Sequence, residues 1–489
     1  MRLQDSKWQS MVRKAILTSS IIGVWFAVGC STSPAAYDDP IAVMNDPKTI
    51  SRSRINAMKQ AEIEETDNPE RIKALKEIMT GRGGHPLKVR VEAFNELLSH
   101  DEEDAKATLY YRLPTIPSND LVAYLCNKIA DEYWTEMTPS LVRSLSTGNR
   151  DIPIMDRPDT KALLRLHPGQ SLNEIILNVV KQQGTGLLAS RWRMSAWELL
   201  NKLGTPENEL HTWLNDDSLY KKGDSFFDAL HRGFVELGVV PTTVEEVKWL
   251  IALQDDSYSQ WWAKCRAAVG IIPEINRKGI ALRHLAVLVI VQQYHPDWLK
   301  HNRDELYSQL ASQLENRQHY LSGMVGQGVS KPLHPQLITD WQEQLTWPDL
   351  ITIKLADTLV HDPAIRAPLF KLVASDHLDE STEYGGILDV NDDAATTLIP
   401  MPPHRAYNDT RYRASSKMVE RGYTAPFHFH LHVQEEKNRQ YAGPGSGDLN
   451  YAQLMQINGL VFTSINADTL NVDYYQPGHI SVDLGVLTR

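Results

Sequence analysis

Cysteine is scarce in this chain: three residues in 489, at positions 30, 126 and 265, too few to staple the fold. Cys126 closes the apolar run Leu121-Val122-Ala123-Tyr124-Leu125, and Cys265 follows Trp261-Trp262-Ala263. Both read as small core hydrophobes, the alternative being one disulfide between them in an oxidising compartment. Positive charge is also short. Lys and Arg number 50 against 61 Asp and Glu, a net charge of −11, and no run is rich in Lys or Arg. A general nucleic-acid binder needs a basic face to release counterions, so that class is excluded. What is present is ordinary globular material, 42% apolar and 23% charged. The length suits two or three domains and a core large enough to need no metal or disulfide staple.

The N-terminus carries a different pattern. Met11-Val12-Arg13-Lys14 is a short basic start, with Met11 a candidate initiator, and Ala15–Gly29 follows without a charge. These fifteen residues fall short of the roughly 20 that a membrane-crossing helix needs but suit a secretory apolar region; the rival reading is an uncleaved anchor helix. The stretch ends Ala27-Val28-Gly29-Cys30-Ser31, which resembles the lipobox of bacterial lipoproteins, with alanine where leucine is more usual. The resemblance implies removal of residues 1–29, lipidation of Cys30 and attachment to a membrane of the bacterial cell envelope. Serine rather than aspartate after the cysteine implies the outer membrane, facing the periplasm. Losing residues 1–29 removes a net three positive charges and takes the chain from −11 to −14. Residues 30–52, with Thr32-Ser33-Pro34-Ala35-Ala36 and Asp38-Asp39-Pro40, then read as the lipidated cysteine and a flexible tether.

Residues 53–363 have helical periodicity. Asp67-Asn68-Pro69-Glu70 is a helix start, Ile72, Leu75, Ile78 and Met79 follow at helical spacing, and Gly81-Arg82-Gly83-Gly84 is a stop. Arg71-x-x-Ala74-Leu75-x-x-Ile78 is echoed by Arg90-x-x-Ala93-Phe94-x-x-Leu97, by Arg193-x-x-Ala196-Trp197-x-x-Leu200 and, more weakly, by Lys264-x-x-Ala267-Ala268-x-x-Ile271. A small alanine between large residues lets a neighbouring helix approach closely. The pattern resembles the helices of HEAT-type repeats, without their steady period. This region has no phosphate loop, no Gly-x-Ser-x-Gly elbow and no His-Glu-x-x-His helix. Its isolated histidines (His85, His167, His211, His231, His284 and His295) read as surface or satisfied core residues. Binding a protein partner or supporting the neighbouring domain is its expected use.

Chemistry gathers in residues 364–489. Glu383-Tyr384-Gly385-Gly386-Ile387-Leu388-Asp389-Val390 reads as a strand with a glutamate at its start, and Arg411 to Arg421 as a helix. Phe427-His428-Phe429-His430-Leu431-His432-Val433 alternates strictly. A strand with that pattern puts Phe427, Phe429, Leu431 and Val433 toward the core and three imidazoles on the other face, about 7 Å apart in succession. Two of them can serve one ion, and neutral imidazole suits zinc; a polar, solvent-facing edge is the alternative. Tyr441-Ala442-Gly443-Pro444-Gly445-Ser446-Gly447-Asp448 is a glycine-rich loop whose aspartate opens a helical run, where it reads by itself as an N-cap.

Taken in order, the glutamate before a Gly-x-Leu strand, the His-x-His strand, the loop with serine and aspartate, the helix and the closing strands resemble the JAB/MPN (JAMM) metallopeptidase family. The resemblance covers roughly residues 364–489 and implies an α/β domain with a mixed sheet, following the all-α, HEAT-like one. It implies a zinc site built from Asp448 and a His-x-His pair, either His428/His430 or His430/His432, with Glu383 as general base on a zinc-bound water and Ser446 as oxyanion donor. Two departures stand out: the family's serine position, three residues before the aspartate, is Gly445, and the sixteen-residue gap from His432 to Asp448 is longer than in the family. The function implied is cleavage of a peptide or isopeptide bond in a protein or peptide substrate near the envelope. The alternative is a non-catalytic envelope scaffold with a degenerate domain of this kind.

Overall fold

The computed structural model describes residues 36–147, 152–182, 187–216, 224–321, 335–405 and 412–489. Cys30 and the apolar leader before it lie outside the described residues, and no described helix is long and apolar enough to cross a membrane. Helices follow one another from Pro40 to Asp376, and a six-stranded mixed sheet follows them. The chain divides into two compact units, Met1–Thr108 and Leu109–Arg489. The sheet thus shares a unit with the helices from Leu109 onward.

In the first unit, residues expected to belong to the tether are folded. Tyr37 donates its N–H to Gln60 Oε1 at 2.8 Å and accepts from Gln60 Nε2 at 2.9 Å. Asp39 caps a helix over Pro40–Asn45 whose Met44 is fully buried. The Asp-Asp-Pro run is therefore a helix start, with proline preset at the first helical position. Helices Ser51–Glu64, Pro69–Thr80 and Leu87–His100 follow. Asn68 caps the third of these four as its sequence predicts.

The recurring arginine has a structural role that its spacing did not show. Arg90 donates to the carbonyls of Ile78, Met79, Gly81 and Gly83, closing the end of helix Pro69–Thr80 and the turn beyond it. Arg71 donates to Thr66 O and to Glu96. In the second unit Arg193 donates to Val180 O, at the end of helix Leu172–Lys181, and forks onto Asp224 at 2.7 and 3.0 Å. A helix leaves its last four carbonyls unpaired and negatively polarised, so a buried guanidinium from the next helix answers both needs. The motif alanines Ala74, Ala93 and Ala196 are buried as expected, whereas Lys264, in the weak echo, pairs with Asp392 at 3.8 Å in an exposed position.

Cys126 and Cys265 are free, buried thiols. The sheet consists of β1 (Gly385–Val390), β2 (Thr396–Met401), β3 (Phe427–His432), β4 (Gly459–Asn466), β5 (Thr469–Gln476) and β6 (Ile480–Thr488). Its order is β2-β1-β3-β4-β5-β6, with β3 and β4 parallel and all other neighbours antiparallel. Strands β2 and β6 were not expected from the sequence. The helix expected over 411–421 occupies Ser416–Gly422, capped by Ser415. One face of the sheet carries Phe427, Phe429 and Tyr474 toward the helical layer, where Tyr474 Oη donates to Asn458 Oδ1 at 3.0 Å and Asn458 Nδ2 donates to Arg283 O at 2.8 Å. The other face carries the histidines and is covered by helix Ser446–Met455, which packs Leu449 and Ala452 on Val461 and Tyr475.

Candidate metal centre

Strand β3 places its three histidines on one face, as alternation requires. That face is not solvent-facing: His428 and His430 are 4% and 5% exposed. Two of the three meet Asp448. His430 Nε2 and His432 Nε2 lie 3.2 Å apart, and the Asp448 carboxylate approaches them at 3.3 and 3.5 Å. One ligand atom from each residue fits within 4.8 Å of the others, the one such cluster among the described residues.

The far ring nitrogens are engaged. His432 Nδ1 stands 3.1 Å from the Tyr441 carbonyl, which can only accept, so Nδ1 carries a proton and Nε2 is the atom turned to Asp448 and His430. His430 Nδ1 meets the Tyr475 hydroxyl at 3.3 Å. Orientation of a ligating imidazole through its other nitrogen is the usual support of a metal site. Tyr475 reaches this position because Gly459 opposes it on β4: a Cβ there would lie 2.1 Å from the ring. Sequence reasoning did not single out Tyr441 or Tyr475, and only the bare glycine opposite a tyrosine signalled the second.

Asp448 is the third residue of its helix rather than its N-cap. It accepts the Gly445 N–H at 2.8 Å and turns its oxygens to the histidines. Burial would raise this carboxyl, but His430 and His432 hold it well below the usual carboxylate range. Burial likewise opposes charge on His432, yet the hydrogen bond and charge of Asp448 push it up to about 9. The trio thus behaves as an anion pressed against imidazoles that gain by sharing a cation or a proton.

His428 lies apart from this cluster. Its Nδ1 meets Tyr451 Oη at 3.1 Å, its Nε2 is buried with no hydrogen-bond partner, and burial pushes it down to about 4. The His430/His432 pair is therefore the one brought to Asp448.

Glu383 lies two residues before β1. Gly385 opposes His430, and that register carried two residues further sets Glu383 level with His432. Gln434 Nε2 donates to Glu383 Oε1 at 2.7 Å, and the Tyr412 N–H donates to Oε2 at 2.8 Å. Burial raises the Glu383 carboxyl, and the histidines partly offset it. Ser446, the first residue of the helix that carries Asp448, is exposed beside the cluster in sequence. No family model, curated protein or solved structure matches the chain.

Proposed function

We propose that this chain is a lipid-anchored envelope protein whose C-terminal region hydrolyses peptide or isopeptide bonds with a zinc ion held by His430, His432 and Asp448. The observation that carries the reading is the convergence of two imidazole Nε2 atoms and one carboxylate within 4.8 Å, with both far nitrogens engaged. Two imidazoles and one carboxylate form a common catalytic zinc set that leaves a coordination position open. The motif order shared with JAB/MPN peptidases supports the same assignment.

Zinc in such a site lowers the pKa of a bound water toward ~7 and polarises a carbonyl. The chain's own residues supply the rest. Glu383, buried and held by two neutral donors, takes the proton from the attacking water and returns it to the departing amine. Ser446 faces the developing oxyanion in this reading. Cys30, through its lipid, holds the molecule at the membrane, and the helices present a protein substrate or partner.

The test pairs zinc analysis with turnover of a mixed internally quenched peptide library. Glu383→Gln is expected to keep one zinc per chain and lose turnover. A folded wild-type chain with no zinc supports the scaffold alternative instead. For the anchor, Cys30→Ala is expected to move the protein from the membrane fraction to the soluble one; an unchanged membrane fraction contradicts lipidation.

A further inference from the structure

Glu383 is aimed by a chain of amides with a single possible direction. Asn438, 1% exposed, donates its Nδ2 to the His432 carbonyl at 3.1 Å and to Gln434 Oε1 at 2.5 Å. Its own N–H donates to Ser464 O on β4 at 2.8 Å, and its carbonyl accepts from the Tyr441 N–H at 2.9 Å. A peptide carbonyl only accepts, so the Asn438 amide must turn its nitrogen toward His432. Gln434 therefore receives at Oε1 and must present its nitrogen elsewhere, and that nitrogen stands 2.7 Å from Glu383 Oε1. The orientation follows from the network and requires no choice about which way either amide is flipped.

We propose that Gln434, locked by Asn438, is the positioning residue for the Glu383 carboxylate; this rests on the hydrolytic reading above. Two properties suit an amide to the task. It donates without a charge, so it favours the ionised carboxylate against the cost of burial and does not neutralise it as a lysine would. Its backing residue is tied to the carbonyl of His432 and, through Tyr441, to the segment that orients the same imidazole, so base and ligand move as one piece. With the Tyr412 N–H on the second oxygen, the plane of the carboxylate is fixed, and its remaining lone pairs are left for the attacking water.

The test compares the full chain with Gln434→Met, which keeps the length of the side chain and removes the donor. The infrared carboxyl titration of Glu383, identified by its loss in Glu383→Gln, is followed on metal-free protein, and zinc content is measured separately. The expected result is one zinc per chain in both proteins, unfolding midpoints within a few degrees, and a Glu383 midpoint raised by about 1–2 units in the variant, the size of one lost hydrogen bond to a carboxylate. A role in packing alone would lower the unfolding midpoint and leave the titration in place, and an unmoved titration midpoint overturns the proposal. Absence of zinc from the wild-type chain overturns the hydrolytic reading and this one with it, whereas zinc with an unmoved midpoint removes only Gln434.

Discussion

The His284–Asp349 cluster and the His430–His432–Asp448 cluster of the second unit differ in what fills the space between their ligand atoms. In the first, His284 and Asp349 are accompanied by Arg283, whose Nη2 donates to Asp349 Oδ1 at 2.8 Å. The carboxylate also accepts the Thr346 N–H and hydroxyl. The Ala281 N–H donates to His284 Nδ1, and His284 Nε2 faces both Asp349 Oδ1, at 3.3 Å, and Arg283 Nη1. The cation this cluster requires is part of the chain. In the second, no Lys or Arg among the described residues pairs with Asp448, and the far nitrogens of His430 and His432 are spoken for. The first is a finished piece of core that ties the helical layer to the sheet through Asn458 and Gln476. The second sets two imidazoles against a carboxylate, with no described Lys or Arg paired to it. Residue type is the same in both; the neighbour decides.

The largest effect that separates them is on stability. Arg283→Met leaves Asp349 buried without its partner and is expected to cost about 3–5 kcal/mol in denaturant unfolding; a loss under about 1 kcal/mol would mean the first cluster is not held by its own cation.

The second expectation concerns pH. Burial, reinforced by Arg283, pushes His284 down to about 4 from its ordinary 6.5. A base with a lowered folded-state pKa leaves the unfolded chain holding the extra proton between those values, so stability falls as pH falls from about 6.5 to about 4. His284 alone contributes up to about 3 kcal/mol of that fall, and His284→Gln is expected to flatten the slope of unfolding free energy across that window. An unchanged slope would show that His284 titrates normally.

Zinc gives the third contrast. At a free concentration 100 times its dissociation constant it is expected to stabilise the wild type and Glu383→Gln by about 2.7 kcal/mol and to do nothing for Asp448→Asn, as read by thermal unfolding. Stabilisation that survives Asp448→Asn would place the ion elsewhere.

The smallest effect is expected at His428. Its Nε2 is already buried without a partner, so His428→Leu removes as much cost as it removes benefit. Stability should stay within about 1 kcal/mol, with zinc content unchanged; loss of zinc would restore the other histidine pair as ligands.

Much of this site was legible because period-two alternation fixes a face. Phe427 to Val433 could be assigned to a strand with its imidazoles together, and Glu383 and Asp448 were singled out by the resemblance of their motif order to a known family. The choice between His428/His430 and His430/His432 was not legible, since alternation treats all three alike. Helix Ser446–Met455 is what distinguishes them in the fold, since it puts Tyr451 against His428 and Asp448 against the other two. The supporting residues Gln434, Asn438 and Tyr441 were hidden for a similar reason: their roles run through a loop conformation that no periodicity encodes. Strand β2 escaped because Thr396–Met401 carries a proline, Pro400, next to its end on a sheet edge and lacks a clean alternation. The arginine clamps were visible as a spacing, but the spacing suggested close packing at alanine and gave no sign of the carbonyls each guanidinium caps.

The most direct test of the central claim is zinc-edge X-ray absorption on the purified full chain, alone and as His432→Ala. The account predicts one zinc per wild-type chain with two imidazole nitrogens at about 2.0–2.1 Å and one carboxylate oxygen at about 2.0–2.2 Å, and one imidazole fewer, or no zinc, in the variant. A wild-type spectrum that His432→Ala leaves unaltered, or a folded wild-type chain that takes up no zinc, contradicts it.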